Sequence, residues 1–399
     1  MNEKTDLMRR NFLASAGTGL LLLKPETVFG SQANSAVEIG LIGCGLRGTY
    51  DAVQIKEFTG AHFVALADAF QDPIDKTRQK LKAADARQYL GYNAYKELLA
   101  SHVDAVLIAS PPYFHPLHAS AAVAAGKHVF LAKPVAVDVP GTKLIAATGK
   151  KAEGKTSFLV DFWSEGDVTF QECAAHVKEG AIGKPALVQA YYHAPRLPIR
   201  YTGLSESESR LRNWVFDKKI SGDIIIEQNV HVLADVRWFL GNVVPLRARG
   251  TGGRSVRVDA GDCWDNFVVA YDYPDGVHVD FSSSQFTKGF NDICTRIYGS
   301  EGTLEAHHYG YAPTTITGDH PWKPDQEPDV KGLKSVVANA RKFVDSIHSG
   351  QYVNNVPDSV KTNYTALLGR TAAYKGTVVT MEEMLKADEK YEVKLPVLG

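Results

Sequence analysis

The sequence predicts an α/β amino-terminal half built on a parallel sheet, followed by an α+β carboxy-terminal half with a large, mostly antiparallel open sheet. Three observations predict it. From Val37 to about Lys155 short apolar runs alternate with helical segments, the pattern of successive βαβ units. Beyond Phe158 apolar strands follow one another across tight turns, Asp275-Gly276 among them, which is a hairpin signal. The chain has 399 residues, enough for two domains at roughly 150 residues each. The units expected are 34–155 and 156–399, after a segment 1–33 of different character.

That first segment reads as an address. Lys4, Arg9 and Arg10 precede an apolar or small-residue stretch from Phe12 to Leu23, and Ser31-Gln32-Ala33 forms a small-x-small cleavage site. These are the three regions of a signal peptide. The string Arg9-Arg10-Asn11-Phe12-Leu13 fits the twin-arginine pattern. The expected location is the periplasm or the exterior, with no membrane attachment after cleavage, because the stretch is shorter than the about 20 residues of a spanning helix.

In the first unit, strands are expected at Val37 to Ile42, His62 to Ala67, Val103 to Ala109 and His128 to Leu131, with an Ala-rich helix from Pro116 to Ala125 ended by Gly126. In the second, a strand at Phe158 to Val160 leads to helix Val168 to Lys178, strand Leu187 to Tyr192 and helix Gly222 to Leu240. Strands follow near Pro245 to Gly250, Asn266 to Tyr273, Gly276 to Ser284 and Cys294 to Tyr298. Helices Leu333 to Ile347 and Asp358 to Tyr374 come next, and Val378 to Lys386 closes the chain.

Composition excludes several classes of function. Hydrophobic residues are 44% and charged residues 22%, the balance of an ordinary folded protein. Lys plus Arg is 44 against 45 for Asp plus Glu, so no overall charge draws the chain to nucleic acid. The four cysteines, Cys44, Cys173, Cys263 and Cys294, form no CxxC pair and are expected as free, mostly buried thiols; export leaves a Cys263–Cys294 bridge open. No metal site is expected: His307-His308 is adjacent rather than i, i+4. Neither a GxSxG elbow nor HExxH is present.

The chemistry begins at Gly43-Cys44-Gly45-Leu46-Arg47-Gly48, which follows the first strand and opens a helix. Gly43 permits a tight turn, Gly45 lets a pyrophosphate approach the backbone and Gly48 allows close helix packing, with Leu46 at the positive end of the helix and Arg47 near a phosphate. Asp68 ends the next strand 20 residues after Gly48, where a carboxylate accepts hydrogen bonds from both ribose hydroxyls and repels a 2′-phosphate. This predicts a Rossmann dinucleotide-binding domain holding NAD in preference to NADP.

These residues, followed by Ser110-Pro111-Pro112, Ala125-Gly126-Lys127-His128-Val129 and Lys133-Pro134, give a chain that resembles the glucose-fructose oxidoreductase/inositol dehydrogenase (Gfo/Idh/MocA) family. Gly222-Asp223-Ile224-Ile225-Ile226-Glu227 with His231 and Trp238-Phe239-Leu240-Gly241 extends the resemblance into the second half. It implies that Lys133 lies near the nicotinamide and hydrogen-bonds the reacting hydroxyl, and that His231 is the acid/base. Glu227, four residues before His231 on one expected helix face, would orient the imidazole or bind a substrate hydroxyl. Ser110 and Pro111 would approach the cofactor, and His115 and His118 would either approach it or merely start the helix that follows. Trp163 would meet substrate or nicotinamide, or else be buried in the domain junction. Tyr191, Arg212 and Trp214, in a region also holding His193, Arg196, Arg200, Tyr201 and Arg210, would meet a polyhydroxylated or acidic ligand. Two departures stand out: the family's usual Glu before Lys-Pro is Ala132, and its usual helix Asp is Glu227.

The function expected from the resemblance is an oxidoreductase moving hydride between a carbinol carbon of a sugar or sugar derivative and tightly held NAD, in a homodimer or homotetramer. Two alternatives stay open. One is a glycosidase that oxidises the 3-hydroxyl transiently, although Gln228-Asn229-Val230-His231 stands where such relatives carry Tyr-Pro-Thr-His. The other is a carbohydrate-binding protein without catalysis.

Overall fold

A computed structural model describes residues 36–330 and 332–395. The expected signal segment lies outside the described residues. Six strands form a parallel sheet: β1 (Glu38–Ile42), β2 (His62–Asp68), β3 (Arg87–Leu90), β4 (Ala105–Ile108), β5 (His128–Ala132) and β6 (Phe158–Asp161). Their spatial order is β3-β2-β1-β4-β5-β6. The order reverses between β1 and β4, which opens a crevice beyond their carboxyl ends. The sheet is buried on both faces, so its strands are nearly all apolar. Ile39 and Leu41 pack toward helices Leu46–Thr59 and Leu333–Ser349, while Ile42, Val106 and Val129 face the opposite cluster.

Two features of this half differ from expectation. β3 was not anticipated, because Arg-Gln-Tyr-Leu at a half-covered edge has no apolar alternation to reveal it. β6 belongs to the parallel sheet, paired with β5 from Val129↔Phe158 to Ala132↔Asp161, so the first unit runs past residue 155. Helix Leu333–Ser349 also returns from the end of the chain to cover that sheet.

The second sheet contains β7 (Pro185–His193), β8 (Arg247–Gly253), β9 (Asn266–Asp272), β10 (His278–Ser284), β11 (Asp292–Gly299), β12 (Gly302–His307), β13 (Thr315–Gly318) and β14 (Val379–Thr380). Its order is β13-β12-β11-β7-β10-β9-β8-β14. Every neighbouring pair is antiparallel except β7 and β10. The expected turn at Asp275-Gly276 joins β9 to β10, with both residues at positive φ, 59° and 75°. One sheet face, carrying Val188, Phe281, Ile293 and Leu304, packs against helices Val230–Phe239 and Val356–Lys375.

The continuous helix expected over Gly222 to Leu240 is two helices, Ile224–Glu227 and Val230–Phe239. The amides of Gln228 and Asn229 both donate to the Ile224 carbonyl, each at 2.9 Å, so one turn widens and the regular ladder stops. Glu227 and His231 therefore do not share the face of one helix. All four cysteines are free and buried, and the bridge left open between Cys263 and Cys294 is not formed. Among the described residues, no helix is long and apolar enough to cross a membrane.

Candidate active site

The glycine turn has the geometry of a dinucleotide cradle. Gly43 sits at φ 96° with its backbone against the end of β4, where a Cβ would fall 2.5 Å from the Ser110 nitrogen. A Cβ on Gly48 would press into the Gly43 carbonyl oxygen, whereas one on Gly45 would meet nothing within 4 Å. Two glycines thus hold the turn closed and the middle one leaves room above it for a ligand. Leu46 begins the helix that follows and is exposed. Asp68 Oδ2 accepts the Cys44 amide at 2.8 Å and Oδ1 the Phe70 amide at 3.0 Å, which fixes the carboxylate at the crevice edge. Burial pushes its pKa up.

Gly43, Asp68, Ser110 and Pro111 share this crevice with Arg212 and Trp214 of the second unit. Those last two, expected at the substrate, stand instead over the dinucleotide crevice. Arg212 lies 3.9 Å above the Phe70 ring and bonds Asp72 and Glu208, each at 2.8 Å. The approach depends on the chain folding back across some 140 residues, which local sequence does not encode. His115 also departs from expectation. Its Nδ1 lies 2.6 Å from the Pro134 carbonyl and its Nε2 2.7 Å from that of Ser110, so it ties two loops together, and burial pushes its pKa down to about 4. His118 Nδ1 meets the Ser110 hydroxyl at 3.0 Å. Arg47 is engaged by Asp51 at 2.7 Å and by Asp161, so its guanidinium bridges the first helix to β6 rather than standing free for a phosphate. Burial, with Asp161 nearby, pushes the Asp51 pKa up to about 7 against the pull of Arg47.

Lys133, Glu227 and His231 converge at the interdomain cleft. Lys133 Nζ donates to the Glu227 backbone carbonyl and to Glu227 Oε1, the latter at 3.2 Å, with the side chains 17% and 15% exposed. The carboxylate therefore holds the ammonium, not the imidazole. His231 is buried, its Nδ1 without a hydrogen-bond partner, and its ring faces the edges of Phe162 and His308 at centroid distances of 6.2 and 6.1 Å. Burial, then the charges of Lys133, His308 and Arg47, hold its pKa well below the usual histidine value. An imidazole whose charged form is disfavoured, within electrostatic reach of an ammonium, pairs a base with an oxyanion stabiliser.

The wall behind His231 holds residues that the motifs did not reveal. His308 Nε2 meets Asp235 Oδ2 at 2.6 Å, and both side chains are fully buried. Trp163 packs over His308 at 4.8 Å and Tyr309 at 5.2 Å, so it backs this wall from the interior and is buried. Tyr191 points to the far side of the second sheet, while its neighbour Tyr192 is buried on the catalytic side within electrostatic reach of Glu227. The two-residue period of a strand allows either choice, and only the packing decides it. His308 and Asp235 lie 73 residues apart, so no local motif could have joined them.

Family models match both halves of the chain. A model described as the oxidoreductase family, NAD-binding Rossmann fold, matches residues 37–159, and one described as the GFO/IDH/MocA C-terminal domain matches residues 170–305. Inositol 2-dehydrogenase of Acidothermus cellulolyticus is 29% identical over 67% of this chain and 72% of its own length. Myo-inositol 2-dehydrogenase of Thermotoga maritima is 26% identical over 71% and 79%. The structure of a levoglucosan dehydrogenase in complex with NADH and levoglucosan superimposes with a TM-score of 0.71 at 18% identity, covering 87% of this chain and all of that one.

Proposed function

This chain belongs to the Gfo/Idh/MocA oxidoreductase family, and from that premise we propose that it oxidises a secondary hydroxyl of a cyclic sugar or polyol with tightly held NAD. The observation that carries the reading is the Lys133–Glu227 pair at 3.2 Å in the cleft, with the buried imidazole of His231 within electrostatic reach of the ammonium. Relatives that act on inositols and on levoglucosan support the substrate class.

The residues divide the work as follows. Gly43, Gly45 and the amides opening helix Leu46–Thr59 would hold the pyrophosphate, and Asp68 the adenosine ribose. When bound, NAD supplies the hydride acceptor. His231 takes the hydroxyl proton; its Nδ1 is sealed from solvent, which leaves Nε2 as the exchanging nitrogen. Lys133 Nζ donates a hydrogen bond to the oxygen as negative charge grows on it, and Glu227 Oε1, 3.2 Å away, keeps that ammonium aimed. Proton removal of this kind contributes about 10²- to 10⁴-fold. Arg212, reaching over Phe70, closes the adenosine side and favours retention. Export by the twin-arginine route and assembly as a homodimer or homotetramer complete the reading, since a cofactor used outside the cytoplasm has to travel with its protein.

Denaturing the purified protein and weighing the released small molecule by mass spectrometry tests the cofactor assignment. NAD is the expected species. A protein that releases none and binds none in calorimetric titration would overturn it.

A further inference from the structure

On the sheet face turned away from the catalytic cleft, β11 and β12 place three metal-binding side chains together. Cys294 and His307 are cross-strand partners, with Sγ and Nε2 3.6 Å apart. Asp292, two residues before Cys294 on the same face, has Oδ1 3.1 Å from His307 Nδ1. One ligand atom from each residue lies within 4.8 Å of the others. Ile293 and Thr295 point the other way, toward helix Val230–Phe239, so this cluster is separate from the hydride-transfer site.

We propose that Asp292, Cys294 and His307 form a zinc(II) site, with one coordination position left to water. A tetrahedral zinc with bonds of about 2.3 Å to sulfur and about 2.0 Å to nitrogen spaces those ligands about 3.6 Å apart, the separation seen between Sγ and Nε2. As a ligand, Asp292 gives up its contact with Nδ1 and turns a carboxylate oxygen to the metal, which it can do because one ligand atom from each of the three residues already lies within 4.8 Å of the others. The donor set of thiolate, imidazole and carboxylate suits a borderline-soft ion rather than magnesium or calcium. Nearby Arg296 is paired with Glu305, so its charge does not oppose a cation. Asp292 is 18% exposed, which gives an ion a way in, while Cys294 is fully buried beneath its cross-strand partner Tyr191. No short metal-binding spacing marks these residues in the sequence: 13 residues separate Cys294 from His307, and strand pairing closes the gap.

Binding replaces the thiol proton with the metal. The bond formed is Zn–S, the bond broken is S–H, and the proton goes to solvent. The test loads the full chain with Zn²⁺ and, separately, with Co²⁺ as a spectroscopic substitute, then counts metal per chain and protons released. The expected result is one zinc per chain, about one proton released, and a thiolate-to-cobalt charge-transfer band. Cys294→Ser should abolish that band, and Asp292→Asn, which removes a ligand, should weaken zinc binding by at least the about tenfold that loss of an outer-shell partner costs. NAD binding to the same variants serves as the folding control. Zinc uptake unchanged in Cys294→Ser, or a cobalt spectrum without the thiolate band in the unaltered chain, overturns the proposal; the latter holds even if a variant fails to fold.

Discussion

In the proposed reaction His231 is the base, and burial and neighbouring positive charge depress its pKa, which would set the pH dependence. A base loses activity as pH falls through its pKa, so kcat/KM should stay level from neutral pH to below 6.5, the ordinary histidine value, and decline only in more acidic buffer. A half-point at or above 6.5 in the measured profile would contradict this. Asp68 makes a second prediction. Replacing it with Ser removes a charged acceptor from the ribose; a charge-assisted hydrogen bond is worth about 1.5–3 kcal/mol, so NAD binding should weaken about 10- to 100-fold while NADP binding weakens less or improves. Calorimetric titration with both nucleotides measures the change, and an unaltered preference would remove Asp68 from recognition. Lys133, Glu227 and His231 can be named as candidates from motifs of the resembled family, although the partner of Glu227, Lys133, cannot. Tyr192, His308 and Asp235 cannot be named so, because strand parity and long-range packing assign them.

At the scale of elements, the turn between β1 and its helix is the part most tightly specified by residue type. Gly48→Ala drives a methyl group into the Gly43 carbonyl, with no flexible side chain to yield. The variant should lose NAD binding at least tenfold and unfold at lower temperature, since overpacking costs about 1–3 kcal/mol; Gly45→Ala, facing open space, should keep the stability and lose mainly the binding. Paired thermal melts and titrations distinguish the two. The glycine turn, β1, β2 and helix Val168–Lys178 could be read directly, because buried parallel strands and capped helices write strong local patterns. The break at Gln228-Asn229 could not, because it depends on both amides converging on one carbonyl. That break matters for function: it leaves the Glu227 carboxylate on Lys133 instead of on His231.

Across the whole molecule, the two sheets share an apolar cluster that includes Val106 and Val160 of the first and Val188 and Phe267 of the second. Helix Val356–Lys375 lies between them, and Arg370, buried on that helix, donates to the Val137 and Gly222 carbonyls at 2.8 and 2.9 Å. The protein should therefore unfold in a single calorimetric transition, with matching calorimetric and van't Hoff enthalpies; two resolved transitions would show that the halves are independent. Sequence pattern indicated two unlike halves but not their interlocking, since helix Leu333–Ser349 and β6 cross the boundary that composition suggests. The interlocked core holds Lys133, just past the end of β5, against Glu227 of the second half and within electrostatic reach of His231. The most direct test of that arrangement is a single-turnover experiment following reduction of bound nicotinamide on mixing with myo-inositol, levoglucosan and related cyclic polyols. At least one should reduce the cofactor in the unaltered protein, and Lys133→Ala and His231→Ala should each slow that step about 10²- to 10⁴-fold while still binding NAD. Reduction at an undiminished rate in both variants would contradict the account.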